Sequence, residues 1–190
     1  MTMMKFWAGL ASLVPLMSLS GVAPVPADRS SVTDFERLCG YLGAESGVWV
    51  APNPDREATR ANVADSFDLT FVCDDAQRGL RMEIGARYSD GTRRVPWRAM
   101  WFWHPGRREI VYLNYGRGGH VVEGVTEFTA DDVFVTTYDR YQPDGTRSRG
   151  RDENTILSAD EHRTQVYTFE DGEWRPGNSN LWRLESEKTK

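Results

Sequence analysis

Regular alternation of apolar and polar residues, broken by turn sequences, dominates the chain from residue 67 onward and constrains the fold most. Apolar side chains occupy every second position of residues 80–88, as in a strand with one buried face. Sequences such as Ser89-Asp90-Gly91 and the Pro-Asp-Gly at 143–145 separate the alternating runs. Asp-Gly pairs supply the positive φ angles of tight hairpins. The pattern therefore predicts an antiparallel β meander.

The meander is predicted to close on itself. No helix-length periodic segment separates its strands, which excludes parallel βαβ units. Closure removes the exposed edges of a long open sheet, so we predict an all-β, up-and-down, lipocalin-like barrel of about 8–10 strands. A short helix, capped by Thr33 or Asp34, is predicted to precede it, with Phe35, Leu38 and Leu42 on one face. The predicted strands are 46–51, 67–73, 80–89, 93–104, 109–115, 119–128, 132–141, 148–157, 162–170 and 180–185.

The first 27 residues predict an export signal. Lys5 is their only charged residue, an apolar run covers residues 6–19, and Val-Pro-Ala occupies positions 25–27. These are the three parts of a secretory signal. The apolar run is shorter than the roughly 20 residues of a membrane-spanning helix. We expect cleavage after residue 27, one domain over 28–190, no membrane span, and a periplasmic or secreted location.

Charge and motifs exclude several classes of function. The predicted mature chain has 22 basic and 28 acidic residues, a net charge of −6, whereas a nucleic-acid partner requires a concentrated basic face. The sequence has no nucleophile elbow and no phosphate-binding loop, and its three histidines lack metal-site spacing. We expect no nucleic-acid partner, no metal and no cofactor, and leave open whether the protein is a monomer or a dimer.

Cys39 and Cys73 are the only cysteines. In an oxidising compartment an even number of cysteines favours a disulfide, which here would tie the helix to an early strand. Two separate buried thiols are the alternative.

Two features of the chain resemble the calycin superfamily, which includes lipocalins and fatty-acid-binding proteins. Gly47-Val48-Trp49 opens the first strand, and Arg183 lies in the last strand. In that superfamily the tryptophan of a G-x-W motif packs under an arginine or lysine of the last strand. The resemblance implies that Gly47, Trp49 and Arg183 close one end of the barrel, where a guanidinium can stack on an indole.

The chain is also similar in outline to the haem-binding nitrobindin branch of that superfamily. That branch carries a longer motif, G-x-W-x-G-x-G, whereas Ala51 and Pro52 follow Val50 here. The resemblance therefore implies haem only as an alternative ligand, with His162 as its candidate axial residue. Because His162 follows a turn, we expect it to be exposed.

Aromatic residues indicate where a ligand would bind. Trp97, Trp101 and Trp103 share one face of strand 93–104 and form either a cavity wall or a core stripe. Tyr112 lies on strand 109–115, whose apolar residues occupy both faces, so its inward face stays open. We expect His120 to point inward near the barrel mouth, where imidazole can change charge near neutral pH.

Charged residues on adjacent predicted strands have two interpretations. They form either an outer ladder of opposite charges, which we favour, or an inward polar cluster suited to acid–base chemistry. His120 and Glu123 are the candidate catalytic residues in the second case. The charged residues concerned are Glu123, Glu127, Arg149, Arg151, Asp152 and Glu153.

The leading hypothesis is an exported lipocalin-like barrel that binds a small, largely apolar molecule in or near its mouth. Its ligand-binding residues would be Trp97, Trp101, Trp103, Tyr112 and His120, and no catalysis is required. Three alternatives stay open: a hydratase, isomerase or cyclase acting on an apolar substrate, a haem protein, and a barrel used for protein contacts. Fold alone does not choose among them.

Overall fold

The chain forms a closed ten-stranded antiparallel barrel. A computed structural model describes residues 30–43, 47–54, 63–74 and 78–185. Successive strands pair in order along the chain, and the first strand also pairs with the last, so the predicted all-β barrel with a short N-terminal helix is confirmed. The elements are α1 (Val32–Leu42), β1 (Val48–Pro52), β2 (Ser66–Cys73), β3 (Gly79–Arg87), β4 (Arg93–His104), β5 (Glu109–Gly116), β6 (Val121–Ala130), β7 (Val133–Tyr141), β8 (Arg147–Ser158), β9 (Glu161–Glu170) and β10 (Glu173–Glu185).

The main difference from the predicted strands is the start of β10. This strand begins at Glu173 rather than residue 180, because pairing with β9 continues through a register shift between Pro176 and Ser179. Proline and glycine at 176–177 interrupt the alternating pattern and hide the strand in the sequence. The predicted export signal, residues 1–27, lies outside the described residues.

Helix α1 covers one end of the barrel, which we call the closed end. Its N-cap is Ser31, not Thr33 or Asp34 as predicted. The Asp34 backbone N–H donates to Ser31 Oγ at 3.1 Å and the Ser31 N–H donates to the Asp34 carboxylate at 2.8 Å, which forms a capping box. No helix in the described ranges has the length and apolar composition needed to cross a membrane. The buried face of α1 consists of Phe35, Leu38, Cys39 and Leu42.

A disulfide fastens this helix to the barrel wall. Cys39 of α1 is bonded to Cys73 at the end of β2, with 5.8 Å between their Cα atoms. The predicted pair is therefore confirmed. The two cysteines are 34 positions apart in the sequence, and the segment between them contains β1 and most of β2.

The closed end is packed differently from the arrangement that the calycin resemblance implied. Trp49 is buried, and its indole N–H donates to the Leu42 carbonyl at 3.4 Å. Arg183 pairs in register with Val50, its side chain is 69% exposed, and its Nε donates to Glu161 at 2.9 Å. The predicted stacking of Arg183 on Trp49 is therefore wrong. Side chains alternate along β10, and the residues on either side of Arg183, rather than the arginine, face the barrel interior.

A buried charge cluster joins β2, β3 and β4 on the outer face. Asp68 is fully buried, and its carboxylate accepts from Arg87 Nε at 2.8 Å and from Arg93 Nη2 at 2.6 Å. Burial alone would raise the pKa of Asp68, but hydrogen bonds from Arg93 and Arg87 outweigh it and hold the pKa below its ordinary value. Gly85, opposite Asp68 in register, leaves the space that the Arg93 guanidinium occupies.

Candidate functional site

The interior of the barrel contains a cavity of about 480 Å³. It lies between the closed end and the opposite end, which we call the mouth, where the turns 117–120 and 142–146 lie. Its two sides differ in chemistry, because β2 to β4 contribute apolar side chains while β7 to β9 contribute mostly polar ones. The apolar side includes Leu69, Phe71, Met82, Ile84, Trp97 and Trp101, and the polar side includes Thr136, Tyr138, Arg140, Asp152, Asn154 and Thr164.

Four aromatic rings form a continuous row across the cavity, from Phe71 through Trp101 and Tyr112 to Tyr138. Successive ring centroids are 6.1, 4.8 and 6.2 Å apart. These separations are typical of tilted aromatic pairs, which favour one packed arrangement. We call this row the aromatic arc; it connects the apolar side of the cavity to the polar side.

Asp152 lies where the aromatic arc reaches the polar side. The Tyr138 hydroxyl donates to Asp152 Oδ1 at 3.0 Å. Burial raises the pKa of Asp152 to about 6, although the hydrogen bond from Tyr138 and the positive charge of Arg140 act in the opposite direction. Burial, together with the charge of Asp152, also raises the pKa of Tyr138, so this hydroxyl keeps its proton. A carboxyl group with a pKa near 6 can exist in both protonation states close to neutral pH.

The side-chain amide of Asn114, beside the aromatic arc, has an oxygen that accepts no hydrogen bond. Asn114 Nδ2 donates to the Tyr112 hydroxyl at 2.9 Å. Asn114 Oδ1 is buried and accepts no hydrogen bond from any described residue. Both side chains line the cavity, so this oxygen is a polar group for which a ligand donor would be favourable.

Hydrogen bonds between side chains orient two of the indoles. Trp101 Nε1 donates to Thr126 Oγ1 at 3.0 Å, and Thr126 shares a 2.8 Å hydrogen bond with Thr136. Trp182 Nε1 donates to Thr164 Oγ1 at 3.0 Å. With their polar atoms satisfied by the barrel, these indoles present their apolar surfaces to the cavity.

The predicted ligand-binding residues are placed unequally around this cavity. Trp101 and Tyr112 lie in its wall, and Trp97 and His120 lie toward the mouth with their ring centroids 6.5 Å apart. Tyr112 faces inward with Ile110, which settles the inward face of β5. Trp103 does not line the cavity; it packs against the core near the closed end, opposite Ile110 in register.

Glu123 does not belong to the cavity either. Its carboxylate accepts from Tyr141 at 3.2 Å on the outer face of the barrel, so it is misplaced for the acid–base role considered for it. Asp152 is the carboxylate of this set that lines the cavity, whereas the sequence analysis favoured an outer position for the whole set and did not single it out. The other members of the charged set lie in an outer groove with Glu123: Glu127, Arg149, Arg151 and Glu153.

His162 is buried at the closed end of the cavity, and the expected exposed position is wrong. It is 2% exposed, and its ring centroid lies 4.7 Å from that of Trp49 and 6.0 Å from that of Tyr41. Burial lowers the pKa of His162 to about 4, so the ring is neutral at physiological pH. The turn before it hid this position, but the alternation with Thr164 and Val166, which also line the cavity, could have revealed it. Its role as a haem ligand stays a prediction.

The outer groove is larger than the internal cavity, with a volume of about 970 Å³. It lies on the outer surface of β4 to β8, and charged side chains surround its apolar residues. Ligand sites for small molecules are concave and mainly apolar, with a few polar groups that point to one place. The internal cavity has that composition, so it is the candidate site.

Comparison with known proteins does not identify a relative. No family model matches the chain, and no curated protein matches it. Among solved structures, the chain is similar to the di-domain ARO/CYC StfQ from the steffimycin biosynthetic pathway, with 11% identity, 83% of this chain and 82% of that chain covered, and a TM-score of 0.20. At this identity and TM-score the likeness does not establish a shared fold or function.

Proposed function

We propose that this protein is an exported, calycin-type barrel that binds a small amphipathic molecule in its internal cavity. The observation that carries the proposal is a space of about 480 Å³ inside the barrel, with an aromatic side facing a polar side. Small-molecule sites typically measure about 300–1,000 Å³ and combine apolar walls with a few placed polar groups. The polar side changes the expectation drawn from the sequence, from a largely apolar ligand to one with a distinct polar group.

Packing also favours a ligand. Protein interiors are close-packed, and the voids within them are few and small. A barrel used only for stability or protein contacts would fill its interior with larger side chains, whereas here small polar residues such as Thr136 and Thr164 line the wall. The space is therefore better explained by an occupant than by packing.

Three further observations support export and the calycin assignment. Residues 1–27 have the composition of a secretory signal. The bond between Cys39 and Cys73 is typical of an oxidising compartment. A short helix, a G-x-W motif that begins β1 with its tryptophan buried at the closed end, and a complete meander follow the calycin order.

The test is a fluorescence titration with prodan, a neutral naphthalene dye that brightens in apolar surroundings. Val122 lines the cavity and is 4% exposed, whereas its neighbour Val121 points outward and is 47% exposed. Val122→Phe fills part of the cavity and should weaken dye binding at least about tenfold, because overlap with the added ring must be relieved. Val121→Phe, the matched control, should leave the affinity within about twofold.

Circular dichroism of both variants verifies that they fold. Equal binding by the two folded variants would place the dye outside the cavity and contradict the proposal. Failure of the wild-type protein to bind the dye at all would contradict it as well.

A further inference from the structure

The polar groups of the cavity specify the kind of ligand. We propose that the ligand carries a protonated amine, which donates to Asp152 while its apolar part lies against the aromatic arc. This inference rests on the proposed function, since it assigns a chemical class to the ligand of the same cavity.

Asp152 is a half-buried carboxylate on the cavity wall that the protein only partly satisfies. Among the described residues, Tyr138 is its one hydrogen-bond donor, and it reaches Oδ1 only. A carboxylate can accept about four hydrogen bonds, so Oδ2 remains for a group in the cavity. No described cation forms an ion pair with Asp152, and Arg140 acts on it only through its charge. A buried charge without a partner is costly, and a ligand ammonium group would supply that partner.

The second unused polar atom is also an acceptor. Asn114 Oδ1 is buried without a donor among the described residues, and Asn114 lines the same cavity. Its Nδ2 is already engaged by the Tyr112 hydroxyl. Asp152 Oδ2 and Asn114 Oδ1 are therefore two acceptors without a donor among the described residues, whereas His162 Nδ1, which also has no partner, lies at the closed end. An ammonium group, which has three donors and no acceptor, suits the two oxygens.

The aromatic arc suits the rest of such a ligand. Tyr138 ends the arc and holds the carboxylate, so an ammonium group bound to Asp152 lies beside this ring. The electron-rich faces of tyrosine and tryptophan attract cations, most strongly where water is excluded. The apolar part of the ligand can then contact Trp101 and Tyr112, whose rings lie farther along the arc.

The other titratable groups around the cavity include neutral ones deep inside it and one cation, Arg140, on its polar side. His162 is neutral because burial depresses its pKa, and Tyr112 and Tyr138 keep their protons. Arg140 is exposed, with its guanidinium carbon 5.9 Å from the centroid of the Tyr138 ring, and His120 lies toward the mouth. A carboxylate ligand that paired with Arg140 would bring a second negative charge toward Asp152, which disfavours an acidic ligand.

Three naphthalene compounds that differ in their polar group test the inference by calorimetry: the amine 2-(1-naphthyl)ethylamine, the alcohol 2-(1-naphthyl)ethanol and the carboxylate 2-(1-naphthyl)acetate. At pH 7.5 the amine should bind at least about tenfold more tightly than the alcohol, as expected for a charge-assisted hydrogen bond. Asp152→Asn should reduce this preference to less than about threefold. Glu153→Gln removes the same charge from the adjacent residue on the outer face and should keep the preference.

The wild-type protein provides a second measurement that does not depend on the folding of any variant. The preference for the amine over the alcohol should decline between pH 7.5 and pH 5, because Asp152 gains a proton near pH 6 while the ligand amine stays charged. Equal or tighter binding of the alcohol or the carboxylate at pH 7.5 would overturn the amine assignment and leave the proposed cavity binding intact. If neither prodan nor any of the three compounds binds, both proposals fail.

Discussion

Asp152 affects both the stability of the barrel and the chemistry of its cavity. Burial raises its pKa to about 6, above the ordinary value of 3.8. A group whose pKa is higher in the folded state binds its proton more tightly there. The stability that protonated Asp152 contributes is therefore fully present below about pH 4 and is lost as the pH rises through 6. Above pH 6 the folded protein keeps a charge that the solvent would hold more favourably.

Asp152→Asn tests this relation directly. The amide carries no charge, so we expect the variant to be more stable than the wild type by up to about 3 kcal/mol above pH 6. The difference should disappear below pH 4, where the wild-type carboxyl is protonated. Urea denaturation at pH 4, 6 and 8 measures it. A variant that is less stable than the wild type at pH 8 would show that the charged carboxylate stabilises the fold.

The orientation of a charged side chain such as Asp152, toward the cavity or toward solvent, could not be predicted from the sequence. Arg151, Asp152 and Glu153 are three consecutive charged residues, and only the middle one faces the cavity. Prediction of an inward face depends on apolar residues at alternate positions, and this part of β8 has none. The register against β7, which pairs Asp152 with Thr136, decides the matter, and it is visible only in the structure.

At the scale of single elements, strands with one apolar face were predictable and strands with two similar faces were not. In β3, regular alternation of apolar and polar residues identified the inward side chains correctly. In β5, apolar residues occupy both faces because Val111 and Leu113 line the outer groove while Ile110 and Tyr112 face the core. In β10, Trp182 and Leu184 are apolar residues at alternate positions and lie on one face of the strand. This alternation indicates that Arg183, between them, points outward.

We expect the Asp68 cluster to contribute more to stability than the exposed ion pairs do, because its carboxylate is buried. Asp68→Asn leaves Arg93 without its buried partner and Arg87 with only the exposed Glu185, and we expect a loss of about 1.5–3 kcal/mol at pH 7. Glu83→Gln removes the partner of the exposed Arg98 and should cost less than about 1 kcal/mol. Because the pKa of Asp68 is lowered by folding, its contribution is present above about pH 4 and is lost as the pH falls below that value. Chemical denaturation of both variants at pH 7 and pH 3 measures these effects, and equal losses at pH 7 would contradict the account.

For the whole molecule, the barrel and its hollow interior follow from different properties of the chain. Closure follows from a meander of ten strands whose edge strands pair, which the spacing of turns predicts. The cavity depends on side-chain volumes around the barrel, because α1 and Trp49 fill the closed end while small polar residues line the middle. The periodicity of apolar residues does not show whether the inward side chains are large enough to fill the barrel. The cavity was therefore visible only in the structure.

A crystal structure of the complex with prodan tests the central claim most directly. The account predicts electron density for the dye inside the barrel, in contact with Trp101 and Tyr112, and no dye density in the outer groove. Dye bound in the outer groove, or an interior filled by side chains, would contradict a ligand-binding role for the cavity.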